Sequence, residues 1–280
     1  MMGFSRIIVI GNGWGAIAAL KGLLQFRLPV YTYSSDPDVL AIAPQQLNQD
    51  LENFANELLL FAGYLPVVPA AVIERNTCLN IHYSLLPNYR GLHSTVWAIL
   101  NDEDYLGVTI HMMNEHIDDG AIVYQHKVAN DRVKTSVEYM ELFNQHVTDC
   151  IGQVLSDFID EKIVLQPQDK SQASWVGKRT EKDCMTDFSR PIVYQKAFFR
   201  ALVAPYPLPY VVHKGNKYEV TKVAYHPSPV QTHIGRILNI DNEGLWVKCA
   251  DGYLVLQELR DANSRIVPYE MFRIGQYLNR

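Results

Sequence analysis

Asn80, His82 and Asp118 are the residues of this chain whose types and spacing suit acid–base chemistry. Asn80 and His82 stand two apart in the short apolar run 78–82, so on a strand they share one face while Ile81 turns the other way. A carboxamide and an imidazole then project together from one end of a sheet. Asp118, in Ile117-Asp118-Asp119-Gly120, closes the segment after the apolar run 107–112, and a neighbouring strand end could bring its carboxylate to His82. Such a trio supplies a general base, the carboxylate that orients it and an amide donor for a developing oxyanion. No nucleophile accompanies it. Ser84 lies near His82 but outside any G-x-S-x-G elbow, and none of the four cysteines has a comparable setting. The chemistry predicted is direct acyl transfer to an acceptor that brings its own nucleophile, an amine. Taken singly, each residue also has a structural reading: Asn80 satisfying a turn, His82 as a hydrogen-bonded core histidine, and Asp118 capping a loop.

The elements that must position this trio read as an α/β domain. The β-branched run 6–10 ends at Gly11-Asn12-Gly13-Trp14-Gly15, and helical spacing follows over 16–24, which makes a strand, a tight turn and a helix. Further strands are expected at 30–33, 57–62, 78–82, 107–112 and 122–128, with helices at 93–100 and 135–158. This alternation predicts a doubly wound, Rossmann-like, mostly parallel sheet with helices on both faces. From about residue 187 the texture changes. A helix over 191–203 stops at Pro205-Tyr206-Pro207-Leu208-Pro209, and β segments at 210–213, 218–224, 235–240, 245–249 and 253–259 predict a small, OB-like β-barrel. The domains expected are therefore 1–185 and 186–280.

The 280 residues carry 25 basic and 30 acidic side chains, a net charge of −5, with 48% hydrophobic and 20% charged residues. That is the composition of a folded globular protein, and it argues against both a disordered chain and a strongly basic nucleic-acid binder. The charge is uneven, with 13 basic against 22 acidic residues up to 185 and 12 against 8 beyond it. No apolar run reaches the ~18 residues of a membrane span, and the opening residues lack the h-region of a secretory signal. The four cysteines, Cys78, Cys150, Cys184 and Cys249, are scattered and form no C-x-x-C pair. A cytoplasmic protein with reduced thiols, no bound metal and no membrane partner is expected. Gly11-x-Gly13-x-x-Ala16, with Asp36 after the next strand, superficially meets a dinucleotide fingerprint. Trp14, however, puts a bulky side chain where a pyrophosphate must approach, and the glycines suit a tight crossover without any ligand. An NAD-linked Rossmann protein is kept as the alternative from a different class.

Four blocks together resemble the folate-dependent formyltransferase family: Asn80-Ile81-His82-Tyr83-Ser84-Leu85-Leu86-Pro87, Tyr89-Arg90-Gly91, Gly107-Val108-Thr109 and Ile117-Asp118-Asp119-Gly120. The resemblance implies a Rossmann-like catalytic domain, a small barrel, and N10-formyltetrahydrofolate as formyl-donor cosubstrate. By position it implies that Asn80 stabilises the oxyanion, His82 takes the proton of the attacking amine and Asp118 orients that imidazole. It places the donor's pterin against Gly63, Tyr64 and Leu65, against Ser84, Leu85, Leu86 and Pro87, and against the backbone of Ile117, Asp119 and Gly120. Tyr89 and Arg90 are the expected acceptor contacts, with Arg90 pairing an acidic surface residue as the equal alternative.

The segment 175–207, with Arg179, Asp183, Asp187-Phe188 and Pro205-Tyr206-Pro207, resembles the sugar N-formyltransferases in particular. The expected acceptor is thus the amine of a dTDP-linked amino-dideoxysugar, of the kind built into O-antigen and other surface polysaccharides. Glycinamide ribonucleotide and methionyl-tRNA are the other acceptors weighed. The interval 14–75 carries only Lys21, Arg27 and Arg75 and lacks the basic insertion with which tRNA enzymes grip an acceptor stem. Nucleic acid is therefore not the expected partner, and a homodimer is expected from the resemblance alone.

Overall fold

Five consecutive buried residues form β1 (Ile7–Gly11), and the turn at Asn12 delivers the chain directly into α1 (Gly13–Leu23). The computed structural model describes residues 2–280. β2 (Val30–Tyr33), α2 (Pro37–Ile42), β3 (Leu58–Ala62), α3 (Ala70–Arg75) and β4 (Thr77–His82) continue the alternation expected from the sequence. These four strands lie parallel in the order β2-β1-β3-β4. The two-residue strand β5 (Arg90–Gly91) and α4 (Ser94–Leu100) follow, and then β6 (Tyr105–Met112) and β7 (Ile122–Ala129) complete the sheet, each antiparallel to its neighbour. Four parallel strands and two antiparallel ones make the sheet mostly parallel, as the sequence predicts. Its centre is wholly apolar: Ile7, Ile8, Val9 and Ile10 on β1 and Leu58, Leu59 and Leu60 on β3 are inaccessible to solvent, each stabilising the fold by about 1.5–3 kcal/mol on burial.

The long helix α5 (Ser136–Ile159) buries Tyr139, Phe143, Val147, Ile151, Leu155 and Phe158, a stripe at the spacing that predicted it. It lies along α1, where Thr148 Oγ1 donates to the Ala18 carbonyl at 3.1 Å. β8 (Trp175–Val176) pairs parallel with β5, Arg90 opposite Trp175. One register decides where chemistry can occur: β4 and β6 set Asn80 opposite His111 and His82 opposite Thr109, so four polar residues share one patch of sheet.

The chain divides into two compact units. The sheet above belongs to the first. The second contains α6 (Ile192–Ala201) and five antiparallel strands, β9 (Tyr210–His213), β10 (Asn216–Pro227), β11 (Ile237–Asp241), β12 (Gly244–Cys249) and β13 (Gly252–Arg260), in the order β11-β12-β13-β10-β9. The β9–β10 hairpin turns through Lys214 and Gly215, both at positive φ, as a two-residue turn between right-twisted strands requires. Val211, Val220, Ile237, Leu245, Val247, Leu254 and Leu256 fill the interior. The edge strands β9 and β11 are joined through the C-terminal segment. Gly275 and Leu278 donate to the carbonyls of Ile237 and Gly235, and Asn279 exchanges hydrogen bonds with Val212 on β9. The small barrel anticipated from five short strands thus closes through its own tail.

Candidate active site

Asp118 stands at the centre of the polar patch on β4 and β6. Its Oδ2 lies 3.5 Å from His82 Nδ1 and accepts the Gly91 N–H at 2.8 Å. Its Oδ1 lies 3.4 Å from His111 Nε2 and accepts from Asn80 Nδ2 at 3.3 Å. The structure therefore brings Asn80, His82 and Asp118 together and adds His111. Two glycines make the arrangement possible. Gly91 has φ +103°, and a Cβ there would lie 2.2 Å from the Val176 carbonyl oxygen; a Cβ on Gly120 would lie 1.8 Å from the Met112 carbonyl oxygen. Gln168 Nε2 donates to the carbonyls of Asp118 and Gly120 at 2.8 and 2.7 Å, which pins the aspartate loop from outside.

The hydrogen bonds define the basic atom of His82. Its Nε2 lies 2.8 Å from the Tyr89 carbonyl, and a carbonyl only accepts, so Nε2 carries the proton and Nδ1 is left with the lone pair. The ring is only 6% exposed. Burial holds its pKa below the usual histidine value even though the Asp118 charge opposes this, so the ring is neutral near pH 7. For Asp118, burial pushes upward, but the two imidazoles facing it, His111 and His82, and the Gly91 N–H outweigh it and bring the carboxyl down to about 2. A neutral Nδ1 beside a carboxylate at 3.5 Å gains little, whereas an imidazolium there gains a charge-assisted contact. Asp118 thus favours the protonated state that His82 enters as a base, the kind of differential interaction that accelerates a reaction.

The Ser84–Pro87 turn is fastened to the sheet behind it. Thr109 Oγ1 donates to the Ser84 carbonyl at 2.6 Å, and Gln125 Nε2 donates to the Leu86 carbonyl at 3.0 Å. The buried Ser84 hydroxyl donates to the Asn88 carbonyl at 2.7 Å, so it serves the turn. Leu86 is buried, while Leu85 and Pro87 are half-buried. Gly63, Tyr64 and Leu65 leave β3, with Tyr64 edge-on to Phe61. Leu65 and Ile117, 68% and 64% exposed, present apolar side chains to solvent on the loops after β3 and β6.

Arg90 and Asp119 turn toward each other. Arg90 is 3% exposed, its guanidinium 2.6 Å from Asp119 Oδ1 and donating to Gln168 Oε1 at 2.7 Å. Lys170 Nζ lies 3.3 Å from the other Asp119 oxygen. An acceptor contact by Arg90, expected from its place in the sequence, would require this pair to open. The backbone of Tyr89 is likewise committed, its carbonyl to His82 and its N–H to Ser174 Oγ at 2.9 Å.

The glycine turn after β1 has an internal partner. Asp36 accepts from the Gly13 N–H at 2.7 Å and from the Asp38 N–H at 2.9 Å. These bonds hold its pKa below the usual carboxylate range. The chain's own carboxylate thus takes the place at the α1 N-terminus where a dinucleotide would set its pyrophosphate. Among the described residues no group of three or more His, Cys, Asp or Glu side chains is arranged to hold a metal ion, and no helix is long and apolar enough to cross a membrane. His111 and Gln168 are the site residues that sequence reasoning did not single out. His111 shares a strand face with Thr109, two residues away, but its position opposite Asn80 depends on register.

Residues 20–155 match the family described as formyl transferase, and residues 178–276 match formyl transferase, C-terminal domain. The chain belongs to the formyltransferase family. Among its relatives is a methionyl-tRNA formyltransferase from Syntrophomonas wolfei, 26% identical over 96% of this chain and 95% of that protein. Solved structures with the same fold include an N-formyltransferase from Helicobacter canadensis in complex with folinic acid and dTDP-3-aminofucose. It superposes with a TM-score of 0.70 at 15% identity over 91% of this chain and 99% of that one. A 4-N formyltransferase from Francisella tularensis superposes with a TM-score of 0.64 at 20% identity, covering 76% of this chain and 95% of that one.

Proposed function

We propose that this formyltransferase carries the formyl group of N10-formyltetrahydrofolate to the free amine of a dTDP-linked amino-dideoxysugar. The observation that carries the reading is the Asp118 carboxylate set between His82 and Asn80. It provides a proton acceptor and an amide donor side by side, while the Ser84 hydroxyl nearby is committed to the Asn88 carbonyl. The donor supplies an activated formyl group on N10. The residues present fit it: Leu65 and Ile117 offer exposed apolar side chains for a flat ring, and the Ser84–Pro87 turn is fastened to the sheet through Thr109 and Gln125.

In this reading an Asn80 N–H meets the formyl oxygen as negative charge develops there. His82 Nδ1 takes the proton that the amine loses on attack, Asp118 Oδ2 stabilises the resulting imidazolium, and His82 then gives that proton to N10 of the folate as the bond from the formyl carbon to N10 breaks. Tyr89, through its carbonyl, keeps the His82 tautomer fixed throughout. Arg90, Asp119 and Gln168 keep the aspartate loop in place.

Two kinds of support favour a nucleotide sugar as acceptor. The interval 14–75 holds only three basic residues, too few for the phosphate contacts of a tRNA grip, and a structural relative carries dTDP-3-aminofucose. The methionyl-tRNA relatives keep a second acceptor open. Incubating the enzyme and N10-formyltetrahydrofolate with dTDP- and UDP-linked 3- and 4-amino sugars, and separately with methionyl initiator tRNA, decides between them. Formylation of a dTDP-amino sugar is expected; formylation of the tRNA alone would overturn the assignment. A cytoplasmic homodimer belongs to the same proposal, and light scattering of the purified chain tests the dimer.

A further inference from the structure

His111 is almost fully buried on β6, directly opposite Asn80, and its two ring nitrogens face different partners. Nδ1 lies 2.7 Å from the Met112 carbonyl, which can only accept, so the neutral ring carries its proton there and presents a lone pair on Nε2. Asn80 Nδ2 is 3.1 Å from that lone pair and 3.3 Å from Asp118 Oδ1. Both amide hydrogens are thus engaged inside the protein, and an oxyanion donor must release one of them. The contact with Asp118 is longer than ordinary N–H···O bonds of 2.7–3.2 Å, so it is the one that gives way.

We propose that His111 is a positioning residue for formyl transfer: its Nε2 holds one N–H of Asn80 so that the second is free to reach the formyl oxygen. The proposal rests on the role assigned above to Asn80. An asparagine amide has a donor end and an acceptor end, and either could face a ligand. Beside a lone pair on His111 and a carboxylate on Asp118, the carbonyl end is repelled twice and the NH2 end attracted twice, which fixes the orientation.

The ionisable groups facing His111 are Asp118 from the loop after β6 and His82 from β4, whose ring lies edge-on at 6.4 Å. Both imidazoles share one carboxylate, His82 on Oδ2 and His111 on Oδ1. A proton arriving on His82 Nδ1 is accommodated by Oδ2, which leaves Oδ1 and the His111 contact with Asn80 undisturbed.

The test compares His111→Phe, His111→Gln, Asn80→Ala and the double variant Asn80→Ala/His111→Phe in steady-state formyl transfer, with thermal melting of each. Removal of the acceptor atom in His111→Phe is expected to lower kcat about 10-fold or more while the donor KM changes by less than about threefold. His111→Gln offers a carbonyl to the same N–H, so it recovers most of kcat. Because His111 acts through Asn80, the double variant should be no slower than Asn80→Ala alone. A His111→Phe enzyme that melts normally with kcat within about twofold of the parent would overturn the proposal, as would multiplying effects in the double variant. If His111→Phe does not fold, a His111→Gln enzyme that melts normally but loses about 10-fold or more in kcat overturns it instead. Near-full activity in Asn80→Ala would instead sink the underlying reading of the site, a separate outcome.

Discussion

Replacing Arg90 with methionine separates a structural ion pair from a substrate contact. Arg90 and Asp119 side chains are 4% and 6% exposed with 2.6 Å between charged atoms, and removing one partner of such a pair costs about 3–5 kcal/mol, because the other is left buried and unpaired. Lys170, itself largely in solvent, stays 3.3 Å from Asp119 after the change. The residual charge is therefore partly matched, and the lower figure, about 3 kcal/mol, applies. In a unit of this size that corresponds to a fall in melting temperature of roughly 6–12 °C. Gln168 also loses the guanidinium that it contacts, which loosens its hold on the Asp118 and Gly120 carbonyls. A lower kcat at an unchanged acceptor KM should accompany the lost stability. Converting both partners, Arg90→Met with Asp119→Leu, should recover most of the melting temperature, since no unpaired charge remains. Differential scanning fluorimetry and steady-state kinetics on the three variants supply the numbers. An Arg90→Met enzyme with unchanged melting temperature and a raised acceptor KM would show that Arg90 leaves Asp119 to bind substrate, and the burial argument would fail.

Asn80→Ala and His82→Asn should each lower turnover by at least ~10²-fold at unchanged melting temperature, the scale of losing an oxyanion donor or a base; stopped-time formyl-transfer assays measure both. Burial lowers the His82 pKa from 6.5, so its basic form predominates at that pH; in kcat/KM profiles its ionisation should appear on the acid side of 6.5, below that of the acceptor amine. Stability should follow the same sign. Burial lowers the folded-state pKa of His82, His146 and His213, so the unfolded chain binds more protons below about pH 6.5. Stability is complete above that pH and declines as it falls, with Asp118 adding a further loss as the pH approaches about 2; urea midpoints across pH read this directly, and a midpoint that rises on acidification would contradict it. Gly120→Ala places a Cβ 1.8 Å from the Met112 carbonyl, and the forced shift should lower stability by about 1–3 kcal/mol or more and move Asp118 enough to reduce kcat.

Much of this architecture can be read directly from the residues. Alternation at Asn80 and His82, the glycines at 91 and 120 and the stripe along α5 are local patterns, and each has a local structural consequence. Long-range pairing is different. Nothing near His111 says that β6 runs antiparallel to β4 in the register that sets it opposite Asn80, and a shift of one residue would have turned it to the other face. Gln168 lies 50 residues from Asp118 in a stretch without periodicity, so its hold on the aspartate loop becomes visible only in three dimensions. Arg90 shows the complementary limit, since a basic residue beside a reactive turn reads as a ligand contact until its buried partner Asp119 is located. The glycine turn after β1 matched a dinucleotide pattern for the same reason: the pattern records a tight strand-to-helix turn, and only the position of Asp36 shows that the helix N-terminus is already satisfied.

The central claim is that the formyl group passes directly from the folate to an amine at Asn80, His82 and Asp118, with no acyl-enzyme between. A rapid-quench single-turnover experiment with formyl-labelled donor and a dTDP-amino sugar measures it, by following label in donor, protein and sugar. Label should leave the donor and appear in the sugar at the same rate, with none on the protein, and the transfer should stall in His82→Asn. Transient label on the protein, or transfer at the parental rate in His82→Asn, would contradict the account.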